Sequence, residues 1–425
     1  MSRKAELQNA KRLAAEAQLS ALPMPVGEAN WARDTRAKAR ARLLDAGAPA
    51  RRDEYWRYTN PEEFAAPAAL ADAADIAAEP DPFEAIAAPK IRFINGHLRA
   101  DLSDPLGQQG LAVAALQPTL QQDISIGAQL FGQLEARGQD MVPRPLAVLN
   151  TAVATQGLVI QATGTAVQRV AYQQIGAGIG FVRHLIRVES GAEFTLLESG
   201  TPSNSVIEVD LADGAIFHHV RVQVAPDSAR ATHVFARIAG NAAFKSFTLT
   251  ADGKLTRNET VIELVGGEAS GHIAGAVLAE GDTHTDSTVF VTHDAVNCES
   301  RQVFKNVVGG TAKSIFQGKI YVKEGAQKTD GYQISQAVLL NDGAEFSAKP
   351  ELEIYADDVA CSHGSTTGAL DPTAMFYLRS RGVPKAEAEA LLIAAFADEA
   401  IEEIADTELG DIVRNEVAKW MAGRG

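Results

Sequence analysis

The hydrophobic positions of this chain change period twice. Through the first 46 residues Ala and Leu recur among Lys, Arg and Glu at helical spacing, interrupted at Pro23 and Pro25 and ended at Gly47 to Pro49. From Lys90 the period falls to two. KIRFI and HLRADL flank Asn95-Gly96, a dipeptide suited to a two-residue hairpin turn. Beyond Arg144, short β-branched segments punctuated by Gly, Asn and Asp continue with almost no helical pattern until Leu370. The helical period then returns. Asp371 and Pro372 form an N-cap and N1 pair, Gly382 ends that helix, and Pro384 starts a second, striped by Leu391, Leu392, Phe396, Ile401 and Ile404. A third runs from about Glu408 to Met421.

The expected division is an N-terminal helical region and linker over 1–89, a β core over 90–368 and a C-terminal helical domain over 369–425. The Ala/Asp/Pro-rich stretch from Ala65 to Pro89 reads as a linker or loosely held segment. Just before it, Tyr55, Trp56 and Tyr58 are expected to anchor the helical part to the rest of the chain, and the basic run Arg33, Arg36, Lys38, Arg40 and Arg42 is expected to be a solvated helix face.

Within the β region a small turn motif recurs. Gly191, Gly214 and Asn241 each begin Gly/Asn-Ala-x-Phe, Gly267 begins a degenerate copy, and Gly343 begins a late one. The first four lie at steps of about 25 residues, with a turn residue tolerant of positive φ before each strand, which is the signature of a coil-by-coil solenoid. Short strands without intervening helices make a right-handed parallel β-helix the economical architecture. A β-sandwich would show closer strand spacing and no such echo.

Composition narrows the class of function. A hydrophobic content of 46% with 22% charged residues is that of an ordinary globular protein, and the net charge of −15 argues against general nucleic-acid or anionic-membrane binding. No apolar run reaches membrane-span length and the N-terminus has no apolar signal core, so a soluble, cytoplasmic protein is expected. Two cysteines, Cys298 and Cys361, are too few for a disulfide scaffold and suit a reducing compartment.

The chemistry concentrates in ELEIYADDVACSHGSTTG, residues 351–368. Read as one unbroken strand, Leu352, Ile354 and Ala356 face one way, and Glu353, Tyr355 and Asp357 the other, which carries Cys361 and His363 onto the polar surface side by side. Two donors fall short of the four that a structural zinc site or an iron–sulfur cluster usually takes. A small hydrophobe and a hydrogen-bonded histidine near a strand end is the plainer alternative. Asp357-Asp358 with His363 raises a β-helical polysaccharide hydrolase as a rival, but adjacent strand residues face opposite ways and cannot flank one bond. The other histidines make no metal-binding spacing and are expected to be surface or structural residues, with His284 and His293 the least settled.

DDVACSHGSTTGALD, preceded by LEIYA and followed by AMFYLRSRGV, resembles the C-terminal signature of the SufB/SufD family of iron–sulfur cluster assembly scaffolds, and its SufD branch in particular. Phe316-Gln-Gly-Lys319, Ala326-Gln-Lys-Thr-Asp330, Leu339-Leu340 and Lys349-Pro350 are similar to the same family's β-helix, and DEYWRYT, FINGH and VLNTA to its N-terminal landmarks. His363-Gly364-Ser365 stands where the SufB branch typically has His-Glu-Ala; Ser365 departs from the alanine common in the SufD branch. The resemblance implies a non-catalytic scaffold whose β-helix pairs with SufB and whose C-terminal helices bind the ATPase SufC, so that ATP acts only through that partner. It places His363, with neighbouring Cys361, as ligands of a transient cluster shared with SufB. The dock for SufC would be the first tail helix, with Phe376, Tyr377, Arg379, Arg381 and Gly382. The alternatives left open are a SufB-like paralogue and a β-helical interaction protein that forms homodimers in isolation.

Overall fold

In the computed structural model, which describes all residues except 1–2, 66–68, 72–80, 174, 176–177, 225–228 and 425, two sheets of ten and nine strands face each other. From Gln156 on, strands alternate between them, so each neighbour in a sheet is two strands on in sequence. Nearly every pairing is parallel; the exceptions are the hairpin at Asn95-Gly96 and the strand Leu111–Ala115. This is the expected parallel β-helix, of about seven turns.

The repeated turn motif sets the rungs. Gly191, Gly214 and Asn241 all have positive φ, and the phenylalanine that follows each enters the lumen: Phe194, Phe217 and Phe244 lie in register with ring centroids 5.9 and 5.5 Å apart. Two details differ from the sequence pattern. In the degenerate copy the positive φ falls on Glu268, not Gly267, and Gly271 takes the phenylalanine's place because Ile262 Cδ1 would stand 2.5 Å from any Cβ there. The late copy at Gly343 precedes a strand of the other sheet, pairing Phe346 with Ser314.

Beyond Arg144 the chain is not yet strand. Residues Pro145–Val153 form a buried helix, because Pro145 occupies its first turn and PLAVLNTAV is apolar around most of its circumference. This helix, with Arg3–Ala21 and Asn30–Ala46, belongs to a layer on the outer face of the nine-stranded sheet. Tyr55 packs there on Phe235, Val261 and Phe290, and Trp56 on Ala231 and Leu255, which is the anchoring the aromatics suggested.

The basic run of the second helix is only partly solvated. Ala32, Arg36, Ala39 and Leu43 form its buried stripe. Arg36 is 4% exposed, paired with Glu28 at 2.7 Å and donating to the carbonyls of Thr151 and Ala154; Arg42 reaches buried Glu135 at 2.8 Å. An arginine in a buried stripe needs such partners, since an unpaired buried charge is far costlier than a paired one. Of the linker expected over 65–89, residues 66–68 and 72–80 lie outside the described residues. Its end is firmly held: Phe83 is buried and Asp81 pairs with Lys90 at 2.7 Å.

The tail helices Lys385–Ile401 and Thr407–Ala422 lie along the outer face of the ten-stranded sheet. Ile393, Ala397, Ile401, Leu409, Val413 and Val417 close over Val220, Phe247, Leu249, Ala276 and Val303. Trp420 Nε1 donates to Asp252 at 2.8 Å, and His272 stands 3.4 Å from both Glu299 and Glu403. The helices are therefore joined to the side of the solenoid and leave its end uncovered.

Candidate functional site at the open end of the solenoid

The stretch 351–368 is two strands, not one. Glu345–Ile354 closes the nine-stranded sheet, the chain turns through Tyr355 to Val359, and Ala360–Gly368 closes the ten-stranded sheet. The turn reverses the facing expected for the cysteine and histidine. Cys361 pairs with Gly331 and His363 with Gln333, so both belong to the inward row of their strand. The thiol packs at the lumen's end with Ile320, Val322, Leu352 and Ala356, over Gly331, where a Cβ would sit 3.2 Å from Sγ. Burial pushes the thiol above its ordinary pKa. His363, two residues on, is exposed.

Among the described residues these last two strands contain no buried position, whereas one turn inward seven of the ten residues of Lys313–Val322 and five of the ten of Asp330–Leu339 are buried. Each also has a neighbour on one side only. The two free edges differ in chemistry. Glu345–Ile354 carries Pro350, which offers no N–H, and charges tied down locally: Lys349 to Glu54 at 2.8 Å, Lys319 to Glu353 at 2.6 Å, and Glu351 accepting from Tyr55. Ala360–Gly368, ACSHGSTTG, has neither proline nor a permanently charged side chain. Because Ala360 N–H bonds inward to Thr329 O, alternation turns the backbone groups of Cys361, His363, Ser365 and Thr367 toward the free edge. Ser365 has a local explanation: its Oγ bonds Ser335 Oγ at 2.8 Å.

No three His, Cys, Asp or Glu side chains come together to hold a metal ion among the described residues. Asp357 and Asp358 both lie exposed in the turn, Asp358 paired with Lys328. Cys298 is buried, its thiol donating to Gly266 O at 3.3 Å, and burial raises its pKa.

The helix Pro372–Ser380 comes directly after. Asp371 caps it by accepting from Thr373 N–H at 2.8 Å, and Gly382, at φ 87°, ends it. It has no buried residue. Phe376 and Tyr377 are 73% and 56% exposed, Arg379 is exposed, and Arg381 stacks on the Tyr377 ring at 4.7 Å.

The other histidines were expected to be surface or structural residues, and the sequence did not tell which were which. Four are buried and serve polar networks. Leu158 N–H donates to His184 Nδ1 at 3.1 Å, which places the neutral ring's proton on Nε2, 2.7 Å from Tyr172 Oη. Tyr172 donates to Glu198, which also meets His219 Nε2 at 2.7 Å and Arg221. Burial alone would raise the Glu198 pKa; Arg221 and His219 overcome it and hold the carboxyl well below its ordinary range. The residues of this network come from different turns, so no local spacing announces it. A cleft of about 250 Å³ between the ten-stranded sheet and the 402–406 turn, lined by His218, Lys245, His272, Glu403 and Asp406, is a second charged region remote from Cys361 and His363.

Comparison with known proteins fits this geometry. Residues 171–396 match the SUF system FeS cluster assembly, SufBD core domain. The chain is 28% identical over 399 residues to the iron–sulfur cluster assembly protein SufD of Escherichia coli, covering 90% of this chain and 91% of that one. It is 32% identical over 255 residues to a SufBD family protein of Synechocystis, covering 52% of each. Over 149 residues it is 32% identical to SufD of Bacillus subtilis, 35% of this chain and 34% of that one.

Proposed function

Because the chain belongs to the SufBD family of iron–sulfur cluster assembly proteins and is of the SufD type, we propose that it is a non-catalytic scaffold whose open solenoid end is completed by SufB. The observation that carries this is the terminal rung: a neutral free edge with His363 exposed on it and Cys361 half-buried beside it. A cluster is cargo here. Two donors on one chain call for further donors from another, and a strand edge with free backbone groups is a surface on which a second chain can bring them.

The exposed helix Pro372–Ser380 is the proposed dock for SufC, through Phe376, Tyr377, Arg379 and Arg381, with Gly382 fixing its end. ATP binding draws two SufC subunits together. The two later helices, closed onto the ten-stranded sheet by an apolar seam, carry that displacement into the solenoid and open the shared face. In isolation the same edge makes a homodimer the natural fallback. Replacing His363 with Ala is expected to impair anaerobic cluster assembly on the complex while SufB still co-purifies. Normal assembly by that variant would remove His363 from the site.

A further inference from the structure

The inward row that ends in His363 continues into the lumen as a ladder of amides. Gln302 pairs with Gln333, and Gln333 with His363, on successive rungs about 4.8 Å apart. Both glutamines are 0% exposed, and all four of their side-chain polar atoms lack a hydrogen-bond partner among the described residues. Leaving a buried amide unbonded is costly, and two on adjacent rungs are rarely tolerated without an occupant to bond them.

The opposite wall is built around one of them. Gly318 faces Gln333 across the lumen, and a Cβ there would lie 2.5 Å from Nε2 and 2.6 Å from Oε1. Glycine within FQGK thus leaves room for the amide. His293 Nδ1 is also buried without a partner among the described residues, while its Nε2 is 2.8 Å from the Oγ of Ser300, two residues before Gln302. Burial lowers the His293 pKa to about 4, so the ring is neutral at pH 7. The named inward groups of these turns carry no formal charge, which disfavours an ion and suits a neutral molecule able both to donate and to accept.

We infer that the last turns of the lumen form a water-binding well behind His363, in which Gln302 and Gln333 hold ordered water and Gln333 is a positioning residue for the imidazole. The well stands on the amides alone; its link to His363 rests on the function proposed above. Water bonded to the inward ring nitrogen fixes which nitrogen faces the partner, the service that second-shell groups give to ligating histidines.

A crystal structure of the full chain, at a resolution that places waters, is expected to show density within hydrogen-bond distance of both amides; dry amides touching only carbon would overturn the well. Gln333→Leu is expected to lower the melting temperature by about 2 °C or more, because it orphans the water. A rise would mean that the amide was simply unsatisfied, and would refute the inference. The positioning role is read from the ring ¹⁵N shifts of His363, which should move toward a mixed tautomer in Gln333→Leu and in Gly318→Ala, the latter keeping the amide but displacing it. Unmoved shifts in both would remove that role. None of these measurements involves SufB or a cluster, so they stand or fall separately from the His363→Ala assembly test.

Discussion

At the residue scale, the buried histidines decide how the fold answers acid. His184, His233 and His293 each have a pKa lowered to about 4, mainly by burial. A depressed histidine pKa means that the unfolded chain takes up the proton first. Stability is therefore complete above about pH 6.5 and falls progressively between pH 6.5 and 4, by on the order of 3 kcal/mol for each ring. Urea midpoints should hold nearly level from pH 7.5 to about 6.5 and fall steadily from there to pH 5, and a flat profile throughout would show that these rings are charged in the folded state. The Glu198 network makes a second prediction. Glu198→Ala leaves Arg221 buried without its carboxylate and should cost about 3–5 kcal/mol in denaturant titrations.

At the scale of elements, the tail separates into two kinds of helix. Lys385–Ile401 and Thr407–Ala422 bury their apolar stripes on the sheet, so removing them would bare Val220, Phe247 and Leu249 and damage the core. Pro372–Ser380 buries nothing. Phe376→Ala with Tyr377→Ala should therefore change the melting temperature by no more than about 1 °C, since exposed substitutions act within roughly 0.5 kcal/mol, yet abolish co-purification with SufC. Retained binding would move the dock elsewhere. The boundaries of these helices were legible because Asp371-Pro372, Gly382 and Pro384 are strong local punctuation. The turn between the last two strands was not: Tyr355 to Val359 continues the alternation of Ile354 and Ala356 with neither Gly nor Pro, so period two runs straight through a corner that only the pairing partners define. The repeat of Gly/Asn-Ala-x-Phe announced the solenoid, yet nothing in a helix of Ala and Arg tells that Arg36 faces inward, because the groups that satisfy it come from Glu28 and two distant carbonyls.

At the scale of the whole molecule, the solenoid has one covered side on each sheet and one uncovered end. If pairing runs through the edge Ala360–Gly368, Thr367→Pro should weaken it by removing an outward N–H while sparing the inward ladder. Sedimentation of the isolated chain, and pull-down with SufB, should both report less association, with circular dichroism unchanged. Undiminished pairing would point to the other edge. The family was legible from the residues around Cys361 and His363; which way those side chains face was not, since facing is a property of the rung below them.

The bareness of that last rung bears on supply as well as on assembly. A turn with nothing above it frays more readily than the turns beneath, and whatever binds it lends it stability in proportion to the partner's concentration. If that edge is where a partner binds, as proposed, a subunit made in excess of the partner would keep an open, adhesive strand and be the copy that proteases and aggregation remove first, so its persistence would depend on matched synthesis of the partner.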